Sequence, residues 1–302
     1  KEFSRHPYID AQDALYKLLE DLKIGNKNVG IDEEGVSYEF VKNLKMKFNN
    51  AKWTNGAEII RSVRAIKTKQ ELELLQKASQ IIENAINNVG INLYEGINEK
   101  EIVTLFNTSV VKQGGLPVLP MIKIGRHAIG GQRPPKEDIT LQAGDTIWFD
   151  CDISFKGYWA DIARVIAFKE IKPSIEEDYN KLLSAQIQTM IDIKAGMSSR
   201  DVFDLTLKNV KENGFSNYRR HHIGHGIGME PYESPVLSSN DESLIENGMV
   251  LSIETPYYEY GLGALHIEDP VYVSDNGNIR LTKDVGKFRI VEGKYYDKKL
   301  HY

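Results

Sequence analysis

Four carboxylates and one imidazole stand out in this 302-residue chain because their spacing brings them into pairs. Asp150 and Asp161 flank Phe155-Lys156-Gly157, inside a stretch (Thr146–Ala167) rich in β-branched and aromatic residues. Such a stretch reads as a β-hairpin with a glycine-containing turn. Folded midway between the two aspartates, it sets them opposite each other, roughly 5 Å apart at Cβ. Glu254 and Glu268 repeat the arrangement about Gly261-Leu262-Gly263. Facing carboxylates repel and resist desolvation, so a chain that keeps them together needs a shared proton or a cation between them. Between the pairs runs His221-His222-Ile223-Gly224-His225-Gly226-Ile227-Gly228. Its glycines let the backbone approach closely and leave the His225 imidazole accessible. Four carboxylates and an imidazole are mostly hard donors that suit Mn²⁺, Co²⁺, Fe²⁺ or Zn²⁺, and about four negative charges call for two such ions. Two ions about 3.5–4 Å apart can ionise a shared water and polarise a carbonyl.

The elements that must position these groups also repeat. Thr68 to Glu71 has the form of a capping box and opens a helix to about Asn88, with Leu72, Leu75, Ala78, Ile82, Ala85 and Ile86 along one face. Asn98 to Glu101 opens a second helix that ends near Gly114-Gly115. Ser174 to Glu177 caps a long helix to about Lys194, and Ser198 to Asp201 caps one that ends at Asn213-Gly214. The octet from Gly96 to Val103 matches that from Gly196 to Phe203 in pattern, and Gly144 precedes Asp150 by six residues as Gly248 precedes Glu254. The chain thus reads as two halves, each contributing one carboxylate pair. Upstream, a helix over residues 10–22, a strand Asn28–Asp32, and helices Val36–Lys47 and Ala57–Val63 form an αβα piece. It is small for an independent domain and reads as a partial N-terminal lobe, residues 1–66, ahead of a catalytic domain, residues 67–302.

Composition excludes several classes. A net charge of −5 with scattered basic residues gives no nucleic-acid footprint. The longest apolar runs fall far below the roughly 20 residues that span a bilayer, and no signal-peptide pattern is visible. Cys151 is the only cysteine, which favours a reducing, cytoplasmic setting. Next to Asp150 on a strand it points to the opposite face, as a buried, inert thiol. The start at Lys1, without a methionine, is consistent with an upstream portion having been removed.

The Asp150–Asp161 spacing, the His225-Gly-Ile-Gly motif, Gly-Met-Val-Leu-Ser-Ile-Glu254 and Ile-Glu268-Asp carry a resemblance. Over residues 68–285 the chain resembles the pita-bread family, which includes Xaa-Pro aminopeptidases, prolidases, methionine aminopeptidases and creatinases. The resemblance implies an α/β (α+β) fold, a pseudo-twofold repeat with a curved antiparallel sheet flanked by helices. It implies a dinuclear centre with Asp150, Asp161, His225, Glu254 and Glu268 as ligands, manganese being expected and cobalt, zinc or iron the alternatives. Glu254 would double as proton acceptor. The partial lobe, Arg64-Ala-Ile-Lys-Thr-Lys and Asp161-Ile-Ala-Arg164 are similar to the Xaa-Pro peptidase branch, which implies a small-molecule or short-peptide substrate and a homodimer.

The chain also departs from the family pattern. Peptidases of the family place histidines eighteen residues before the first aspartate and seven after the ligand histidine, where this chain has Gln132 and Tyr232. Both can donate a hydrogen bond, and neither titrates near neutrality. His221 matches a further family histidine, His266 replaces an arginine, and Thr255 replaces a proline. His221 and His222 alternate on a strand, and His221 is expected to face inward. The reading is a dinuclear hydrolase of an amide C–N bond, most similar to a Xaa-Pro dipeptidase or aminopeptidase, with an altered pocket. Glu254, His221 and Tyr232 take catalytic roles, and Gln132, His127 and His266 contact substrate. Asp152 shares the face of Asp150, as a supporting group or a solvent-side carboxylate. The alternatives are a creatinase-like hydrolase of a non-peptide bond that works without metal, and a non-catalytic homologue that binds a peptide or protein.

Overall fold

The computed structural model describes residues 10–128 and 133–294, and the chain divides into two units between Arg64 and Ala65. In the first unit α1 (Ala11–Asp21) starts where the Asp10 side chain accepts from the Asp13 amide. β1 (Asn28–Ile31), α2 (Tyr38–Lys47), β2 (Lys52–Asn55) and α3 (Ala57–Ala65) follow. β1 and β2 pair in parallel, and Ile24, Leu44, Phe48 and Ala51 form the core beside them. The expected αβα piece thus gains a strand. Lys52-Trp53-Thr54-Asn55 is too short and polar for periodicity to reveal it, and pairing with β1 supplies what its own pattern lacks.

The second unit opens with α4 (Lys69–Asn92) and α5 (Glu99–Lys112). Both begin at the expected capping boxes, Thr68 with Glu71 and Asn98 with Glu101, each side chain bonded to the other's amide. Next come β3 (Leu116–Ile124), β4 (Thr146–Phe155), β5 (Tyr158–Phe168), α6 (Pro173–Asp192) and α7 (Ser199–Glu212). The box expected at Ser174 and Glu177 does not form. α6 already begins at Pro173, preceded by Lys172 without a side-chain cap bond, because proline's fixed φ and missing N–H suit a first helical position. α7 keeps its box at Ser198 and Asp201. The remaining strands are β6 (His222–Gly226), β7 (Glu233–Ser238), β8 (Val250–Glu254), β9 (Tyr257–Glu259), β10 (Gly263–Leu265), β11 (Glu268–Tyr272), β12 (Ile279–Arg280) and β13 (Arg289–Val291).

The main sheet runs in the order β3-β4-β5-β11-β8-β6-β7, with β12 beside β11 and β13 beside β5. Along that order every described pairing is antiparallel. The centre lies where β5 meets β11, with Ala163 opposite Glu268. About this seam β3, β4 and β5 correspond to β6, β8 and β11, while α4 and α5 correspond to α6 and α7. The correspondence reaches single hydrogen bonds. Gly96 donates to Leu141 as Gly196 does to Ile245, and Asn98 bridges Thr140 as Ser198 bridges Leu244. Each half has its own apolar core. Ile81, Ile82, Phe106 and Phe149 pack in one, and Val202, Phe203, Leu251 and Ile253 in the other. Cys151 is buried in the first, on the helix side of β4 as expected.

Candidate metal centre

The turn of the first hairpin is Lys156-Gly157, at φ +51° and +84°. Positive φ at both central residues makes a two-residue turn whose twist matches the flanking strands. It pairs Phe155 with Tyr158, so Asp152 faces Asp161 while Asp150 faces Ala163. This corrects the expected register, in which Asp150 was the direct partner. The shift is by two residues, so it keeps every side chain on its face. Asp150, Asp152 and Asp161 therefore share one side of the hairpin: three carboxylates, not two. The second hairpin has the expected register, with Glu254 opposite Glu268, and β9 and β10 extend it with Glu259 opposite Gly263.

β6 lies antiparallel to β8, with His225 opposite Ser252. Against β7 its register shifts between His222 and His225, and Gly224 in between has φ +143°. A Cβ at Gly224 would overlap the carbonyl oxygen of Ser252. The extra residue reverses the alternation of side chains, which brings His222 rather than His221 to the carboxylates. His222 Nε2 is 3.4 Å from Glu254 Oε1, whereas His221 is exposed and stacks its ring on that of His222 at 4.3 Å. The imidazole of His225 is buried rather than accessible, with the Tyr232 ring stacked 3.5 Å from it. Its Nδ1 donates to the Gly226 carbonyl at 2.9 Å, which leaves Nε2 bare. That nitrogen is 3.8 Å from Asp161 Oδ2 and 3.8 Å from Glu268 Oε1, and no hydrogen bond satisfies it. A buried lone pair facing two carboxylate oxygens across such gaps fits a cation.

His266 lies deeper than a pocket-wall position implies. Its Nε2 is 3.2 Å from Glu254 Oε2 and 3.5 Å from Glu268 Oε2, and its Nδ1 is 3.9 Å from Asp150 Oδ2. Trp148, on the same face of β4 as Asp150, donates its indole N–H to Nδ1 at 3.2 Å. Nδ1 must then hold the lone pair, which assigns the ring proton to Nε2, 3.2 Å from Glu254 Oε2 yet without a hydrogen-bond partner. Among the described residues, two groups are compact enough to hold an ion, Asp161 with His225 and Glu268, and Asp150 with His266 and Glu268. In this tautomer, however, His266 is a donor rather than a ligand. Position alone had marked His266, and nothing local in the sequence marks Trp148 as its partner. His127 is exposed in a short turn, where its carbonyl accepts from Arg133 at 3.4 Å. Gln132 lies outside the described residues.

Burial dominates the electrostatics. It pushes Asp150 up to about 6, with the Glu254 charge adding to it, and Asp152 up to about 7, with Asp150 adding. Burial likewise raises Asp161 and Glu268 well above the usual carboxylate range, assisted by neighbouring carboxylates. Burial acts on Glu254 too, but the His266 side chain beside it outweighs burial and lowers that carboxyl to about 2. Desolvation lowers His225 and His222, which favours their neutral, lone-pair-bearing forms. Tyr232 is half exposed, and the burial of its inner part, then the charges of Glu268, Glu254, Asp161 and Asp150, raise its phenol above the ordinary value, so it keeps its proton. Behind the cluster, Arg164 donates to the Ala163 and Glu268 carbonyls at 2.9 Å each and pairs with Asp269, locking β5 to β11 where the halves meet.

Comparison with known proteins places these features in context. Residues 73–275 match metallopeptidase family M24, and residues 2–66 match the Creatinase/Prolidase N-terminal domain. The chain is 30% identical to the Xaa-Pro dipeptidase of Pyrococcus furiosus over 286 residues, 94% of this chain and 81% of that protein. Among solved structures it is similar to the X-Pro aminopeptidase of Thermotoga maritima, with a TM-score of 0.86 and 26% identity over 95% of this chain and 81% of that one. It is also similar to the prolidase of Pyrococcus furiosus, with a TM-score of 0.78 and 29% identity over 92% and 80%. The fold is the pita-bread fold, as the sequence motifs imply.

Proposed function

The chain belongs to metallopeptidase family M24, and from that premise we propose that it is a dinuclear metal-dependent hydrolase of the amide bond in short Xaa-Pro peptides, with a pocket altered at Gln132, Tyr232 and His266. The observation that carries this reading is Glu268, whose Oε1 lies 3.8 Å from His225 Nε2 while its Oε2 faces the Glu254 and His266 side, so that one carboxylate reaches both halves of the cluster. Asp161 and His225 would hold one ion with Glu268, and Asp150 and Glu254 the other. The oxygen-rich donor set favours manganese over softer ions. Such a pair, when bound, lowers the pKa of water and polarises the scissile carbonyl.

The chain's own residues do the rest. Glu254 stays ionised at neutral pH beside His266, whose Nε2 lies 3.2 Å from Oε2, and can take the proton of the attacking water and return it to the leaving nitrogen. His222 stands 3.4 Å from Glu254 Oε1 and takes the place expected for His221. Tyr232, which keeps its proton, is the group beside His225 that can donate to a developing oxyanion. Its ring also covers His225 against water.

Replacing Glu254 or Asp161 by alanine tests the reading. Both variants should lose bound metal, measured by elemental analysis after manganese loading, together with hydrolysis of a Xaa-Pro dipeptide. Full activity in Glu254→Ala would rule the mechanism out.

A further inference from the structure

An arginine beside the cluster has no place in the scheme above. Arg220 stands two residues before His222, whose Nε2 faces Glu254. Its guanidinium lies over the ring of Tyr258, with Cζ 5.4 Å from the centroid. Tyr258 packs edge-on against Trp148 at 5.8 Å, and Trp148 in turn donates to His266. One run of contacts thus leads from Arg220 to the group beside Glu254. The ring contact gives none of the five guanidinium N–H donors an acceptor oxygen. Among the described residues no carboxylate pairs with Arg220, and its Nε is buried without an acceptor. An arginine kept for solubility would hold that nitrogen in water, and a structural one would have a partner for it.

A cavity of about 380 Å³ opens beside it, walled by Phe215, Tyr218, Arg219, Arg220, Tyr257 and Tyr258. That volume suits the end of a short peptide. Among the described residues its wall holds two arginines and no acid, the opposite sign to the nearby carboxylates. We propose that Arg220 binds a carboxylate of the substrate in this cavity, its guanidinium fork taking both oxygens. The inference rests on the reading of the chain as an Xaa-Pro hydrolase and names what that hydrolase selects. In a dipeptide held for cleavage at Glu254, the C-terminal carboxylate follows the scissile bond by one residue, and two extended residues span roughly 7 Å. An acidic Xaa side chain is the other source of the same group. A planar fork matches a carboxylate as a lysine does not, and the surrounding rings strengthen the pair by keeping water away.

Steady-state kinetics of the manganese-loaded full chain on Ala-Pro, Ala-Pro-amide, Glu-Pro-amide and Gln-Pro-amide test this, with Arg220→Gln and Arg220→Lys as variants. Wild type should show the lower KM for the charged member of a pair: Ala-Pro over its amide if the C-terminus docks, Glu-Pro-amide over Gln-Pro-amide if the side chain does. Arg220→Gln should raise KM for that member about 10- to 100-fold, with kcat within about threefold and the uncharged member little changed. Arg220→Lys should recover part of the loss, because it keeps the charge without the fork. An equal loss on charged and uncharged peptides overturns the proposal, as the mark of a charge acting on Glu254 through the field. So does no change on any of them. A wild-type chain that cleaves none of the four overturns the hydrolase reading instead. Ligand-observed NMR of Ala-Pro and Glu-Pro-amide with the chelator-stripped chain then decides Arg220 separately. Binding of either peptide that weakens about tenfold or more in Arg220→Gln supports the subsite, and absent or unchanged binding overturns it.

Discussion

Glu254 and its three carboxylate neighbours illustrate how one cluster divides its charges. His266 beside it holds Glu254 at about 2, while burial raises Asp150 to about 6 and drives Asp161 and Glu268 higher still. Without metal, the raised groups bind protons in the folded chain that the unfolded chain has released above about pH 4. Their contribution to stability is complete below that pH and is lost as the pH rises through their folded values, from about 6 upward. Glu254 has the opposite sign. Its contribution is present above about pH 4.5 and fades only as the pH falls toward 2. The raised groups outnumber it, so in chelator the melting temperature should fall between about pH 5 and pH 8, and saturating manganese should remove most of that slope. A melting temperature that climbs over the interval in chelator would mean the carboxylates are not buried together. Trp148 supplies a second test. Trp148→Phe deletes the N–H that assigns the His266 proton, so kcat should fall about tenfold with metal content and KM retained. An unchanged kcat would show that the tautomer is immaterial.

At the scale of elements, two short irregularities decide which side chains meet. The Lys156-Gly157 turn chooses Asp152 over Asp150 as the partner of Asp161, and the bulge at Gly224 chooses His222 over His221. They should differ in their tolerance of substitution. Gly224→Ala places a Cβ into the Ser252 carbonyl at a φ that alanine avoids, and should cost about 2–4 kcal/mol in urea unfolding while disordering His222 and His225. Gly157→Ala, at φ +84° with open space around it, should cost about 1 kcal/mol. Equal costs would mean that close backbone approach at β6 is not what demands glycine there. Neither device leaves more in the sequence than a glycine, which is why alternation alone selected the wrong histidine and hairpin symmetry alone the wrong aspartate.

At the scale of the molecule, the pseudo-twofold repeat does what neither half can do alone: it lays β5 beside β11 and so unites the two sets of acids. Every candidate ligand lies in the unit from Ala65 onward, which contains its own cores. A fragment of residues 65–302 should therefore fold and bind manganese with a Kd within about threefold of the full chain. Loss of binding by a folded fragment would assign the first unit a part in the centre.

The residue types, their spacing about two turns and the capping boxes at Thr68, Asn98 and Ser198 were enough to determine the repeat, the helices and the face on which each acid lies, because side-chain direction follows a period local to each strand or helix. Which acid opposes which, which histidine turns inward, and that Trp148 sets the proton of a histidine 118 residues away were decided only in the tertiary structure. Register, bulge and tautomer depend on what the neighbouring strand presents, and the chain supplies that neighbour from far along its length.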